Sequence, residues 1–93
     1  MITCADGRCA LSGAITMNNA TAVLEEGRRL FSGPNVVVDL AAITELDSSA
    51  VSLLLEWRRA AKAENRRMQY VNIPANLQSL ADLYGVSELL SRD

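Results

Sequence analysis

The sequence contains no histidine, and this absence excludes several classes of function. Hydrolases of the Ser-His-Asp type need a histidine base, and many metal sites need imidazole ligands. Two cysteines by themselves cannot complete a structural zinc site. The chain also lacks a glycine-rich phosphate loop, which nucleotide hydrolases use to hold their substrate. We therefore expect a protein that is not an enzyme and that holds neither a cofactor nor a metal ion.

Long apolar runs and concentrated positive charge are missing as well. No run approaches the ~20 apolar residues that span a bilayer, and no signal peptide is evident. The nine basic residues are scattered along a chain of net charge −2, unlike the basic stripe of a nucleic-acid-binding protein. We expect a cytoplasmic protein that does not bind nucleic acid and does not insert into a membrane.

Half of the residues are hydrophobic, which suits one packed domain over residues 1–93. A domain of this length buries roughly 60–65% of its unfolded surface and has no room for a deep cleft. Asp39 and Asp47 are therefore a poor candidate pair for acid–base chemistry, which needs a concave site. We expect Asp39 to order the loop that follows its strand.

The two cysteines flank a hairpin signal in the stretch ITCADGRCALSG. Asp6-Gly7 suits a two-residue type I′ turn, which would place Cys4 opposite Cys9 at a spacing that permits a disulfide. In a cytoplasmic protein, however, we expect both to be free thiols that share the inward face of the hairpin with other core side chains.

Strands and helices alternate after this hairpin, which predicts an α/β fold. The βαβ units predict parallel strands with right-handed crossovers, and the first strand is then an antiparallel edge. We expect one small domain with a mixed, mostly parallel four-stranded sheet, packed by about three helices. The remaining strands are predicted at 9–15, 36–40 and 67–73, and the longest helix at 49–64.

Apolar spacing predicts which side chains face the core. The continuous apolar run VVVDL, residues 36–40, indicates a central strand buried on both faces. Leu53, Leu54 and Trp57 fall on one face of the longest helix, and the following short helix is expected to turn Tyr84 inward.

The stretch LDSSA, residues 46–50, lies where a strand ends and the longest helix begins. Asp47, Ser48 and Ser49 are residue types that cap helix N-termini, and this alone would explain them. Alternatively, a phosphate on one of these serines would lie at the positive end of the helix dipole and would control docking of a partner. Neither serine is expected to act as a nucleophile, because Asp47 is too weak a base.

The wider pattern resembles the STAS domain family. The matching residues are Asp39-Leu40, Ile43 and Leu46-Asp47-Ser48-Ser49-Ala50, followed by the long apolar helix and the ending LADLYGVSELL. The resemblance covers about residues 9–90. It implies a protein that works by binding rather than by catalysis.

Two branches of the family imply different partners. MlaB-like proteins have a threonine where Ser48 stands, and they bind the ATPase of an ABC transporter that moves phospholipid between inner and outer membranes. In anti-sigma factor antagonists a serine kinase phosphorylates the position of Ser49, and Ser49-Ala50 is closer to that motif. We take the MlaB-like function, at the inner face of the inner membrane through the partner, as the first hypothesis and the antagonist as the alternative. Ser49, as in the antagonists, and Ser48 are the candidate phosphate acceptors. In either branch the expected partner-binding residues are Asp47, Ser48, Ser49, Val51, Ser52 and Leu55.

Overall fold

A computed structural model describes residues 1–91 of the protein, and within them the strands form one four-stranded sheet in the order β1-β2-β3-β4. Strand β1 pairs antiparallel with β2, whereas β3 runs parallel to both β2 and β4. This is the mixed sheet that the alternation of strands and helices predicts. The strands are β1 (Ile2–Ala5), β2 (Arg8–Ile15), β3 (Asn35–Leu46) and β4 (Arg67–Val71).

Four helices occur in the described residues, and three of them are longer than two turns. The helix predicted at 49–64 is observed at Ser48–Ala63, one residue from the expected bounds at each end. The last described residues form a short helix whose Leu90 is buried in the core. The helices are α1 (Ala20–Leu30), α2 (Ser48–Ala63), α3 (Ala75–Leu83) and α4 (Ser87–Ser91). None of them has the length and the apolar character that crossing a bilayer requires.

The sheet is buried on one face, which corrects the prediction for the central strand. Val36, Val38 and Leu40 are at most 2% exposed, but Val37 and Asp39 between them are half-buried. The same alternation runs through β2 and β4, so the helices cover a single face of the sheet. A continuous apolar run therefore does not mean two covered faces here, because β-branched residues also favour the pleated backbone of a strand.

Strand β3 is longer than predicted because it contains two irregularities. The ten residues 37–46 of β3 lie opposite the eight residues of β2, and the register shifts between Ala10 and Ser12 and again between Gly13 and Ala14. Each shift inserts an extra residue in β3, which bends the strand in the manner of a β-bulge. Asp39 lies before the first shift, where it accepts a hydrogen bond from the Ala41 N–H at 2.9 Å. It thus orders the bulge inside the strand and not a loop after it.

The hairpin forms as predicted, but the state of its cysteines was predicted wrongly. Asp6 and Gly7 have φ angles of 52° and 80°, as a type I′ turn requires. Cys4 and Cys9 pair across the hairpin with their Cα atoms 4.0 Å apart and are joined by a disulfide. The expectation of free thiols relied on the assumed compartment, whereas the turn itself places the two sulfur atoms within bonding distance.

Helices α1 and α2 pack closely because Gly27 has no side chain. A Cβ atom at Gly27 would overlap the indole ring of Trp57. Trp57 is 1% exposed, its ring meets that of Phe31 edge-on at 4.8 Å, and its Nε1 donates to the Leu24 carbonyl at 3.0 Å. By contrast, Tyr84 is 53% exposed, so the prediction that it faces inward is wrong. Tyr84 is the C-cap residue of α3, so the helical periodicity no longer determines where its side chain points.

The Gly27–Trp57 contact predicts a large effect of a small substitution. We expect Gly27→Ala to lower the free energy of unfolding by about 1–3 kcal/mol, despite the better helix propensity of alanine, because the core cannot accept the methyl group without shifting. Urea unfolding followed by far-UV circular dichroism measures the change. Thr21→Ala, at an exposed position of the same helix, is the control and should be neutral or slightly stabilising. Equal stability of the two variants would contradict this packing.

Candidate functional site

The side chain of Asp47 connects the start of α2 to the loop before α1. Its Oδ1 accepts the Ser49 N–H at 2.8 Å, which is the N-cap hydrogen bond predicted from the motif. Its Oδ2 accepts the N–H of Met17 at 3.0 Å, from the loop that follows β2. The Asp47 N–H in turn donates to the Ile15 carbonyl at 3.3 Å. One carboxylate therefore holds together two loops at the carboxyl ends of neighbouring parallel strands.

The loop that contributes Met17 has its own internal support. The Asn19 Oδ1 accepts the Thr16 N–H at 2.9 Å, and its Nδ2 donates to the Ala14 carbonyl at 2.8 Å. Through these two bonds Asn19 closes the loop on itself and supports the segment whose Met17 N–H points at Asp47. The side chain of Met17 is 79% exposed. An apolar side chain is thus held in solvent beside the motif.

The predicted partner-binding residues differ in their exposure. Ser48 and Ser52 are exposed, one turn apart on α2, and Leu55 continues the same stripe as a half-buried side chain. Ser49 is half-buried next to the cap. Val51 is 4% exposed and packs into the core, so its inclusion in the partner surface is wrong. The sequence pattern placed it outward because α2 is apolar on more than one stripe; Val51 is covered by this domain, whereas Leu55 is half-buried.

Met17 was not identified from the sequence, although the structure places it at the site. It precedes the predicted helix in a polar segment, and no motif marks it. Its contact with Asp47 depends on the pairing of β2 with β3, which brings two loops separated by 30 residues together. We define the motif surface as Met17, Ser48, Ser49, Ser52 and Leu55.

The electrostatics of the site keep Asp47 ionised. The N–H groups of Met17 and Ser49 lower the pKa of the Asp47 carboxyl below its ordinary value of 3.8. The pKa of Asp39 is lowered too, by the Ala41 N–H, by the Asn72 amide at 3.1 Å and by the Arg8 guanidinium at 2.9 Å. Asp47 thus supplies the negative charge that the N-terminus of α2 favours, and a phosphate on Ser49 would compete with it.

The site has the geometry of a recognition surface. Asp47 is held by two backbone amides and its pKa is lowered, so it is poorly suited to take a proton from either serine. Within residues 1–91, the acidic and cysteine side chains form no group of three or more that could hold a metal ion. What the arrangement can do is present two hydroxyl groups and an apolar side chain in a fixed geometry.

The chain is similar in sequence to one family of known proteins. Residues 2–91 match the family model described as "Mlab, STAS domain". No curated protein sequence matches the chain.

Solved structures share the fold over most of the chain. One is the anti-sigma factor antagonist SpoIIAA in its unphosphorylated form, with 14% identity and a TM-score of 0.74 over 100% of this chain and 85% of that one. A sulfate transporter family protein from Wolinella succinogenes has 12% identity and a TM-score of 0.72, over 96% and 75% of the two chains. Mglu has 26% identity and a TM-score of 0.64, over 83% of this chain but 20% of its own. At such low identity the first two show a shared fold.

The Asp47 contacts predict how stability depends on pH. Because its pKa is lower in the folded state, Asp47 stabilises the fold above pH 3.8, and this contribution is lost as the pH falls through the folded-state pKa. An amide oxygen can accept one of the two N–H groups but its NH2 group repels the other. We therefore expect Asp47→Asn to lower the urea midpoint at pH 7, with the difference from wild type shrinking below pH 4.

The control for this experiment is Glu45→Gln, which neutralises an exposed carboxylate two residues away. Its urea midpoint should follow that of the wild type at pH 7. If the Asp47→Asn variant has the same urea midpoint as the wild type, the carboxylate does not hold the two loops together.

Proposed function

We propose a binding function for this chain, on the premise that it belongs to the STAS domain family, as the match over residues 2–91 shows. Proteins of this family are generally regulatory. Our specific proposal is that the chain is the cytoplasmic accessory subunit of an ABC transporter that moves phospholipid between inner and outer membranes. It binds the ATPase subunit and tunes its activity, and it stays at the inner face of the inner membrane through that partner.

The observation that carries this proposal is the way Asp47 fixes the motif surface. Partner surfaces that bind without reorganising lose less entropy, and here the loop and the helix are already joined by a carboxylate. Ser48, at the position of the MlaB-like threonine, is exposed on the first turn of α2. The exposed Met17, whose N–H binds Asp47, offers an apolar contact on the same surface. The family model's MlaB description supports the same branch.

The second candidate is an anti-sigma factor antagonist, which the fold shared with SpoIIAA and the Ser49-Ala50 pair favour. In that case a serine kinase phosphorylates Ser49. A phosphate there would add about −1.5 to −2 charges next to the Asp47 carboxylate, and like charges at that spacing repel. Phosphorylation would then weaken the cap and loosen the motif surface, and the partner would be released.

Affinity purification from the native cells in mild detergent distinguishes the two functions. We expect an ABC ATPase and its permease to copurify with the tagged chain, with the peptide that contains Ser48 and Ser49 unmodified. Recovery of a serine kinase together with phosphate on Ser49 would reject the transporter proposal in favour of the antagonist.

A pair of matched variants tests the surface itself. We expect Ser52→Arg to reduce the copurified ATPase roughly tenfold or more, because a packed interface cannot accept a long charged side chain without separating or burying an unpaired charge. Ala22→Arg adds the same side chain at an exposed position of α1 and should leave the yield unchanged. Equal yields from the two variants, with normal circular dichroism spectra, would place the interface elsewhere.

A further inference from the structure

Five of the nine basic residues of the chain gather around one open cleft, although they are not a continuous run in the sequence. The cleft lies between the C-terminal end of α2, the start of β4 and α4. Its volume is about 600 Å³, within the range of small-molecule sites. The basic residues that line it are Arg58, Arg59, Lys62, Arg66 and Arg67.

Apolar side chains from three elements line the same cleft. Ala61 and Met68 are 2% and 3% exposed, so they form its floor, while Leu55 is half-buried and Leu89 is 43% exposed. An apolar floor with a rim of positively charged groups fits a ligand that has an anionic end and an apolar end.

Several of the basic side chains around the cleft already have partners. Arg59 forms an ion pair with Glu56, and Arg66 forms one with Glu64 at 3.5 Å. Arg58 donates to the Leu90 carbonyl at 3.1 Å and lies over the ring of Tyr70. Lys62 and Arg67 are exposed at the rim, so they are the charges most accessible to a ligand.

The end of α2 itself does not oppose an anion strongly, because its last carbonyl groups are capped. The N–H groups of Glu64 and Arg66 donate to the Ala61 carbonyl at 3.2 and 2.7 Å, and the Asn65 N–H donates to that of Lys62 at 3.1 Å. Asn65 adopts a φ of 55°, the left-handed conformation that permits this closure. The negative end of the helix dipole is thus partly satisfied by backbone amides.

We propose that this cleft binds a phosphate-bearing anion with an apolar portion, of the chemistry of a phospholipid headgroup and the first carbons of its chains. Four of the five basic residues are arginines, whose planar guanidinium groups bind phosphate oxygens in pairs. A phosphate monoester, the headgroup of phosphatidic acid, carries close to two negative charges, which complements the exposed Lys62 and Arg67 at the rim. The apolar portion lies against the floor formed by Ala61 and Met68.

This site and the motif surface share Leu55, but their other residues lie toward opposite ends of α2. Ser48 and Lys62 lie near opposite ends of the 16-residue helix α2, roughly 20 Å apart. The proposal therefore does not rest on the proposed function, and each can fail without the other. A partner at the N-terminal end of α2 would leave the cleft accessible.

The test is a titration of the ¹⁵N-labelled full chain with dihexanoyl phosphatidic acid and, separately, with glycerol 3-phosphate. We expect both to shift the amide signals of residues 62–68, and the lipid to bind roughly tenfold more tightly, since it buries several methylene groups. The comparison separates the two sources of phosphate, because the second compound has the headgroup without the chains. Equal affinities would overturn the role of the apolar floor, and an absence of shifts at millimolar ligand would overturn the site.

Charge variants show whether the cleft itself binds. Lys62→Gln and Arg67→Gln each remove one exposed charge from the rim, and each should weaken lipid binding roughly three- to tenfold. Arg29→Gln removes an exposed charge from α1 and should leave the affinity unchanged. An equal loss in all three variants would mean non-specific attraction. Tighter binding of a polyglutamate peptide than of the lipid, at the same amides, would replace the ligand class with an acidic protein segment.

Discussion

The packing of Trp57 against Gly27 is the contact on which the helical layer depends. The glycine lets α2 approach α1 closely enough for the indole ring to be buried, and the ring then meets Phe31 edge-on. Its polar atom is satisfied by a helix carbonyl, as is the hydroxyl of the buried Tyr70, which donates to the Leu54 carbonyl at 2.6 Å. Two aromatic side chains thus anchor α2 to α1 and to the sheet without an unpaired polar group at either ring.

The two ends of α2, which is anchored in this way, contribute to different surfaces. At the N-terminal end, Asp47 holds the loop of Met17 against the first turn, which creates the motif surface. At the other end, the positive charges of residues 58–67 surround the apolar cleft. The middle of the helix is buried, so neither end can shift without disturbing the core.

Most of the fold was predictable because its signals are local. The apolar periodicity of α2, the Asp6-Gly7 turn and the alternation of strands and helices each act within a short window, and the structure confirms all three. The resemblance to the STAS domain family is confirmed as well. The errors concern properties that depend on residues outside such a short stretch of sequence. Val51 was placed outward because a helix that is apolar on two stripes does not indicate what covers the second, and the cysteine state was inferred from a compartment and not from distance.

The sequence by itself determined the element order, the cap at Asp47 and the family to which the chain belongs, because these depend on residue types at fixed spacings. The tertiary structure alone decided which face of the sheet is open, that β3 carries two irregularities, and that Met17 donates to Asp47. It also decided that the basic residues at 58–67 line a cleft together with Leu89 of α4. The physical reason is the same in each case: strand pairing and helix packing join residues that are distant along the chain, and no local pattern encodes that pairing.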